Sequence, residues 1–423
     1  MKSVVVTFSA VFLCGLLSTC AAGPSARLEA PKISPLAKEV LQKAMETMGG
    51  SEALAKVKGM RVRAEGTYKA GPMESKYKSE LTCVLSDRLL WKLDAGELKA
   101  AFGIDGDVAW AEMMAPAARV KGDCREGLMD YLLAYKIALI RPLLELPGAE
   151  LSAEPLEAEG QYRVDLKLAG GRKFELTYVE KEGKTVLASV EGDSFDFEGK
   201  KVFLSMKFST PKPFGPLTLP SIEDSRSLFD GKVQETVHNE TKSIDWNPEV
   251  PKDYFAMPKP GPESTKAGVK KLAESKGVML LHKGSYDAMG ETIKKVTAVC
   301  REAGLPQVGP CRAIFLNDPG QIEDPSQLMT QVISPVAVMG PPPEKLPGGA
   351  TLMTLPALEV ASLMARGPYG KSDVQALGQL FAWAVANGYG VSGAPQILYY
   401  HSPETTVEED LAFEVQIPVR KKQ

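Results

Sequence analysis

Gly309-Pro310-Cys311-Arg312-Ala313-Ile314-Phe315-Leu316-Asn317-Asp318-Pro319 returns further along the chain as Gly393-Ala394-Pro395-Gln396-Ile397-Leu398-Tyr399-Tyr400-His401-Ser402-Pro403. Other landmarks keep step with this pair. Gly284-Ser285-Tyr286 corresponds to Gly367-Pro368-Tyr369, Gly304 to Gly388, and Ser334-Pro335-Val336 to Ile417-Pro418-Val419. The offset is 83 (284 to 367) or 84 (309 to 393) throughout, which marks a duplication. Two copies are too few for a solenoid. Each copy reads strand, Gly-x-Tyr turn, helix, strand, Pro turn, strand, with helices over 286–302 and 370–387. Two such βαββ units pairing edge to edge predict one antiparallel sheet with two helices on one face, around a pseudo-dyad.

Upstream, Met257-Pro258-Lys259-Pro260-Gly261-Pro262 cannot join a sheet, and a linker is expected over 259–265. It separates residues 266–423 from a first domain over 33–258. That domain opens with helical periodicity. Ser34 can cap, Pro35 suits the first turn, and Leu36, Val40, Leu41, Ala44, Met45 and Met48 share a face that Gly49-Gly50 ends. After Gly59 the period becomes two: Met60, Val62 and Ala64 alternate with Arg61, Arg63 and Glu65. Further strands are expected at 77–85, 89–93, 108–113, 162–168, 173–178, 186–191, 202–209 and 234–244, with a helix over 128–144 that Pro142 should end or kink. The fold class is therefore α+β. A curved antiparallel sheet wraps a helix in the first domain, and a duplicated βαββ sheet forms the second.

Residues 1–22 have the layout of an export signal. Lys2 precedes an apolar run from Val4 to Leu17, and small residues follow. Two processing outcomes stand open. Cleavage after Ala22 is one. The other is lipidation of Cys20, because Leu17-Ser18-Thr19-Cys20 approaches a lipobox, with Thr19 as a departure. Residues 23–32 would serve as a tether. Any attachment to a membrane would be through lipid alone, in the periplasm or at the outer membrane.

Composition removes several functions. Lys and Arg number 50 against 53 Asp and Glu, and residues 264–423 carry fifteen of each sign, so no basic surface for nucleic acid is expected. Three histidines, far apart in sequence, do not suggest a metal centre. The sequence contains no Gly-x-Ser-x-Gly elbow, no His-Glu-x-x-His, no phosphate loop and no dinucleotide fingerprint, so neither catalysis nor a cofactor is expected. In an oxidising envelope Cys300 and Cys311 could pair, a helix end facing the next strand; the alternative is buried thiols acting as small hydrophobes.

Two resemblances sharpen this reading. Residues 33–258 resemble the periplasmic lipoprotein-carrier-like family in Ala44-Met45-Glu46-Thr47-Met48-Gly49-Gly50-Ser51-Glu52-Ala53-Leu54, in Gly215-Pro216-Leu217-Thr218-Leu219-Pro220, in Ile244-Asp245-Trp246-Asn247-Pro248 and in Tyr254-Phe255-Ala256-Met257-Pro258. That resemblance implies an unclosed β-barrel with helices over its mouth, holding lipid or nothing. Residues 266–420 resemble the gyrase-inhibitor-like effector-binding domain, from Gly367-Pro368-Tyr369 through Trp383, Gly388, Gly393, Tyr399 and Pro403 to Ile417-Pro418-Val419. This one implies an amphipathic or cationic small molecule in a groove on the pseudo-dyad. The family's groove glutamate aligns with Ile397, which weakens both cation selectivity and hydrolysis here. Glu359 and Glu414 are the replacement acids to consider.

Tyr286, Phe315, Tyr369, Trp383 and Tyr399 are accordingly the expected ligand-binding rings, with Ile397 on the floor beside Tyr399. The expected activity is non-enzymatic binding of a hydrophobic or amphipathic molecule, lipid included. The alternatives are a hydrolase using the same groove, or an envelope lipid carrier or assembly protein acting through the first domain.

Overall fold

The computed structural model describes residues 29–422 except 71–72, 97, 196–199, 260–265, 318, 339, 342 and 344. The export signal, Cys20 and most of the tether and linker lie outside the described residues. Among those described, one compact unit comprises the residues up to 111 together with 120–257. The other comprises 112–119 and the residues from 258 onward.

The first unit is a curved antiparallel sheet around two helices. Helix α1 (Pro35–Met48) is capped by Ser34 Oγ, which accepts from Ala37 N at 3.3 Å, and its buried face is the one periodicity predicts. Strands β1 (Gly59–Ala70), β2 (Met73–Val84), β3 (Arg88–Ala95), β4 (Leu98–Asp105) and β5 (Val108–Met113) form a meander. Helix α2 (Gly122–Leu139) follows. It begins six residues before the expected start at 128 and breaks at Ile140, where φ is 58°; Pro142 then sits in the first turn of a separate short helix, Arg141–Leu144. A second meander comprises β6 (Glu150–Pro155), β7 (Gln161–Lys167), β8 (Lys173–Lys181), β9 (Lys184–Phe195), β10 (Lys201–Phe214), β11 (Leu217–Phe229) and β12 (Lys232–Trp246). The two join through β12 and β1, giving the order β6-β7-β8-β9-β10-β11-β12-β1-β2-β3-β4-β5.

The stretches that carried the first resemblance are fasteners of this half-barrel. Gly49 ends α1 with φ 132°, and a Cβ there would lie 2.6 Å from Pro216 O, so the Gly-Gly and Gly-Pro segments meet where no side chain fits. Asn247 Oδ1 accepts from Lys58 N at 2.7 Å while its Nδ2 donates to Lys56 O at 2.8 Å. Phe255 is fully buried, and its carbonyl accepts from Trp110 Nε1 at 2.9 Å.

The second unit contains the duplication. Strands β13 (Gly268–Leu272), β14 (Ser275–Lys283), β15 (Cys311–Phe315) and β16 (Met329–Pro335) surround helix α3 (Met289–Glu302). Strands β17 (Thr351–Leu355), β18 (Leu358–Arg366), β19 (Gln396–Tyr399) and β20 (Ala412–Lys421) surround α4 (Ser372–Ala386). Backbone bonds repeat with the sequence. Gly284 N→Leu328 O (3.0 Å) matches Gly367 N→Leu411 O (3.0 Å), and Val308 N→Pro335 O (2.9 Å) matches Ser392 N→Pro418 O (2.8 Å). At the centre Ala313 faces Ile397 across β15 and β19, the self-equivalent pair through which the pseudo-dyad passes.

This sheet is more than an edge-to-edge pair. Only two residues separate β13 from β14, and two separate β17 from β18. Yet β13 pairs with β18 at one end of the strand order and β14 with β17 at the other. Leu272 faces Leu358 and Ser275 faces Leu355 in one continuous register. The sheet therefore curls round until its ends share the same two long strands, with both helices outside and a helix-free face within.

Candidate functional site

Four of the five predicted rings form two edge-on pairs on the helix side of the central strands. Tyr286 and Tyr369 stand at dyad-related turns just before α3 and α4, and Phe315 and Tyr399 at related points of β15 and β19. Tyr286 lies edge-on to Phe315, 5.1 Å between centroids, and Tyr369 edge-on to Tyr399 at 4.7 Å. The two pairs flank the dyad on neighbouring strands: Tyr399 stands opposite Cys311, four residues along β15 from Phe315. Burial pushes the Tyr369 and Tyr399 hydroxyls well up, so both stay protonated donors. Tyr369 Oη donates to His401 O at 2.9 Å. Ile397 and Ala313 form the buried floor, and alternation keeps Ile397 on the same face as Tyr399.

Trp383 does not join them. It lies in the last turns of α4, stacked on Tyr389 at 6.1 Å, and its place is the helix–sheet packing rather than a cleft wall. Sequence reasoning missed Asp373, in the first turn of α4. It is buried, its Oδ1 accepts from Val374 N at 2.8 Å, and it receives a long bond from Tyr399 Oη at 3.4 Å. Its place four residues after Tyr369 was the available signal. The Cys300–Cys311 bond is not made: both are buried free thiols, and burial pushes Cys311 up to about 11.

Neither replacement acid reaches the rings. Glu359 is exposed. Glu414 is buried on the helix-free face, because the strand pattern Phe413, Val415, Ile417 sends the even positions inward. There Glu414 accepts from Lys270 and Ser362, from Gln416 Nε2 at 2.7 Å and from Tyr400 Oη at 3.0 Å. Burial alone would raise its pKa, but bonds from Lys270, Ser362 and Gln416 outweigh it, and the carboxylate titrates below its ordinary value.

The largely apolar interior of the first unit's half-barrel carries one polar row. Glu223, Asn239, Gly66 and Tyr77 lie in one row across β11, β12, β1 and β2. A Cβ on Gly66 would meet the Tyr77 ring at 2.7 Å, so glycine lets that ring lie over β1 and bring Oη to Asn239 Oδ1, 3.2 Å away. Asn239 and Ser225 also bond the Glu223 carboxyl, yet Glu223 Oε1 is enclosed without a donor among the described residues. Burial raises this carboxyl to about 7. At one end of the sheet a hollow of about 460 Å³ opens between Leu54, Val57, Leu85 and Leu139, with Lys136 and Arg141 on its wall.

Residues 331–420 match the family model of the GyrI-like small molecule binding domain, so the second unit contains a domain of that kind. Among solved structures the chain is similar to the EcmrR C-terminal domain, at 18% identity over 37% of this chain and 98% of that one, TM-score 0.33. It is also similar to a LolA superfamily protein from Nitrosomonas europaea, at 12% identity over 52% and 96%, TM-score 0.35. A third similar structure is SAV2435 bound to tetraphenylphosphonium, at 14% identity over 37% and 94%, TM-score 0.27. No curated protein matches the chain.

Proposed function

We propose that this is an exported, non-enzymatic binding protein whose second unit holds a hydrophobic or amphipathic small molecule among Tyr286, Phe315, Tyr369 and Tyr399. The observation that carries the reading is the pair of edge-on ring contacts at dyad-related positions on either side of the apolar floor of Ala313 and Ile397. Aromatic faces supply contact area, and hydroxyls at the edge give orientation. Ile397 offers no proton acceptor where a hydrolase would need one.

Titration with the neutral fluorophore N-phenyl-1-naphthylamine tests it. Truncating a buried anchor ring typically costs about 2 kcal/mol or more. Tyr399→Ala should therefore weaken binding at least about tenfold, while Tyr399→Phe, which keeps the ring, should stay within a few-fold. Ile397→Glu should shift preference towards the lipophilic cation tetraphenylphosphonium. Equal binding by Tyr399→Ala and wild type would overturn the assignment. Export is tested by the intact mass of protein made in its own host: processing at Cys20 with lipid or at Gly23 without it supports the proposal, and an unprocessed Met1 removes it.

The hollow beside Lys136 and Arg141 favours a second reading, a lipid carrier acting through the first unit. Lipids that copurify with wild type and persist in Tyr399→Ala would favour it.

A further inference from the structure

On the helix-free face of the second unit the charges do not balance. Around Glu414 on this face Lys270 and Arg312 bring two positive charges against one negative, while Arg366, further along the same row, donates to Asp410 O at 3.3 Å. Lys270 and three neutral donors already occupy both Glu414 oxygens. Arg312 is left over. Among the described residues its Nη1 reaches only a neutral amide, Gln396 Oε1, at a long 3.4 Å, and Gln396 is itself held by its Nε2 to Gln416 Oε1 at 2.7 Å. Arg312 Nε is enclosed, and no acceptor reaches it among the described residues. A guanidinium presents a fixed fork of donors that matches a carboxylate or phosphate in two parallel bonds.

The duplication explains the imbalance. The dyad relates Arg312 to Gln396 and Glu414 to Gln331, so only the second copy contributes an acid. Lys270, which pairs with that acid, comes from β13, ahead of the first duplicated landmark. The inward row beside Arg312 is open at one end: Ile314 and Gln331 are half-buried and Leu281, opposite Gln331, is 45% exposed. Apolar surface thus leads from solvent to an unmatched cation.

We propose that Arg312 is the seat of an anionic site inside the curled sheet, taking the carboxylate of an amphipathic acid whose apolar body lies along Ile314 and Leu281. This site is separate from the ring cluster and does not depend on it.

Decanoate is the probe, titrated calorimetrically into the full chain with decanol as the uncharged control. Wild type should bind decanoate more tightly than decanol, and less tightly as salt rises. Arg312→Met should weaken decanoate at least about tenfold and leave decanol unchanged, with Arg312→Lys in between. Because Arg312→Met could also disturb folding, Gln331→Glu provides a second arm. It places an acid diagonally across from Arg312, at the dyad counterpart of Glu414, and should abolish decanoate binding while raising the melting temperature. Tyr399→Ala should bind decanoate as wild type does, so failure of the ring site and of this one are distinguishable. Decanoate binding that is unchanged in Arg312→Met and in Gln331→Glu, or no stronger than decanol in wild type, would overturn the proposal.

Discussion

Replacing Arg172 with methionine should cost the first unit about 3–5 kcal/mol, the range for breaking a buried ion pair by removing one partner. Asp130 on α2 is 1% exposed, and the Arg172 side chain 8%. Arg172 Nη1 donates to both Asp130 oxygens, at 2.9 and 3.0 Å, and the guanidinium lies over the Phe174 ring. The same charge lowers the pKa of Glu126, one turn earlier on α2, against the burial that raises it. Methionine would leave Asp130 charged without its cation and Glu126 further from ionisation. Such a loss is a large share of the roughly 5–15 kcal/mol that holds most domains folded. Urea unfolding followed by a signal from this unit measures it, and Asp130→Asn combined with Arg172→Met should recover part of the loss. A cost below about 1 kcal/mol in the single variant would mean that the pair is solvated.

The second large effect is on pH. The Glu223 carboxyl ionises at about 7 in the folded chain, against 4.5 when unfolded, chiefly because it is buried. Between those values the folded state binds the extra proton, so stability falls as pH rises through this window and levels off above it. The shift corresponds to a loss on the order of 3 kcal/mol between pH 4.5 and pH 8. Glu223→Gln should remove that slope and leave the variant more stable than wild type at pH 8. The difference between the two unfolding curves, taken from pH 5 to pH 8, isolates this group from others that titrate. A flat difference would show that the carboxyl is hydrated.

The same residue shows why part of the fold was hidden. Strand β11 was not legible, because after Leu217 and Leu219 its inward positions are Ser221, Glu223, Ser225 and Ser227 rather than hydrophobes. A period-two pattern of polar residues on both faces looks like loop, and Pro220 strengthens that impression. Strand β12 was legible as a long run free of Gly and Pro that includes the β-branched Thr236, Val237, Thr241 and Ile244. In the second unit the duplication announced both helices and the central strands. The curl of the sheet was not readable, since strand alternation reports a polar face without saying whether water covers it. Glu414 and Gln416 are polar strand residues and yet are buried. The two ring pairs match because they stand at dyad-related positions. Asp373 and Arg312 depended on helix placement and on charge balance within a buried face, which one strand at a time does not reveal.

The two long strands shared by both ends of the curled sheet make the duplicated unit a single folding unit. Both halves of each long strand pair with the other copy's long strand and only the second half also pairs within its own copy, so neither copy can satisfy its backbone bonds alone. A lone copy could complete its sheet only by exchanging that strand with a second molecule, as swapped dimers do. Joined in one chain, the copies must instead bring residues 268–283 against 351–366 before either sheet is finished. That closure across a long stretch of chain places its entropic cost early, the circumstance in which folding is slow and half-formed edges are exposed.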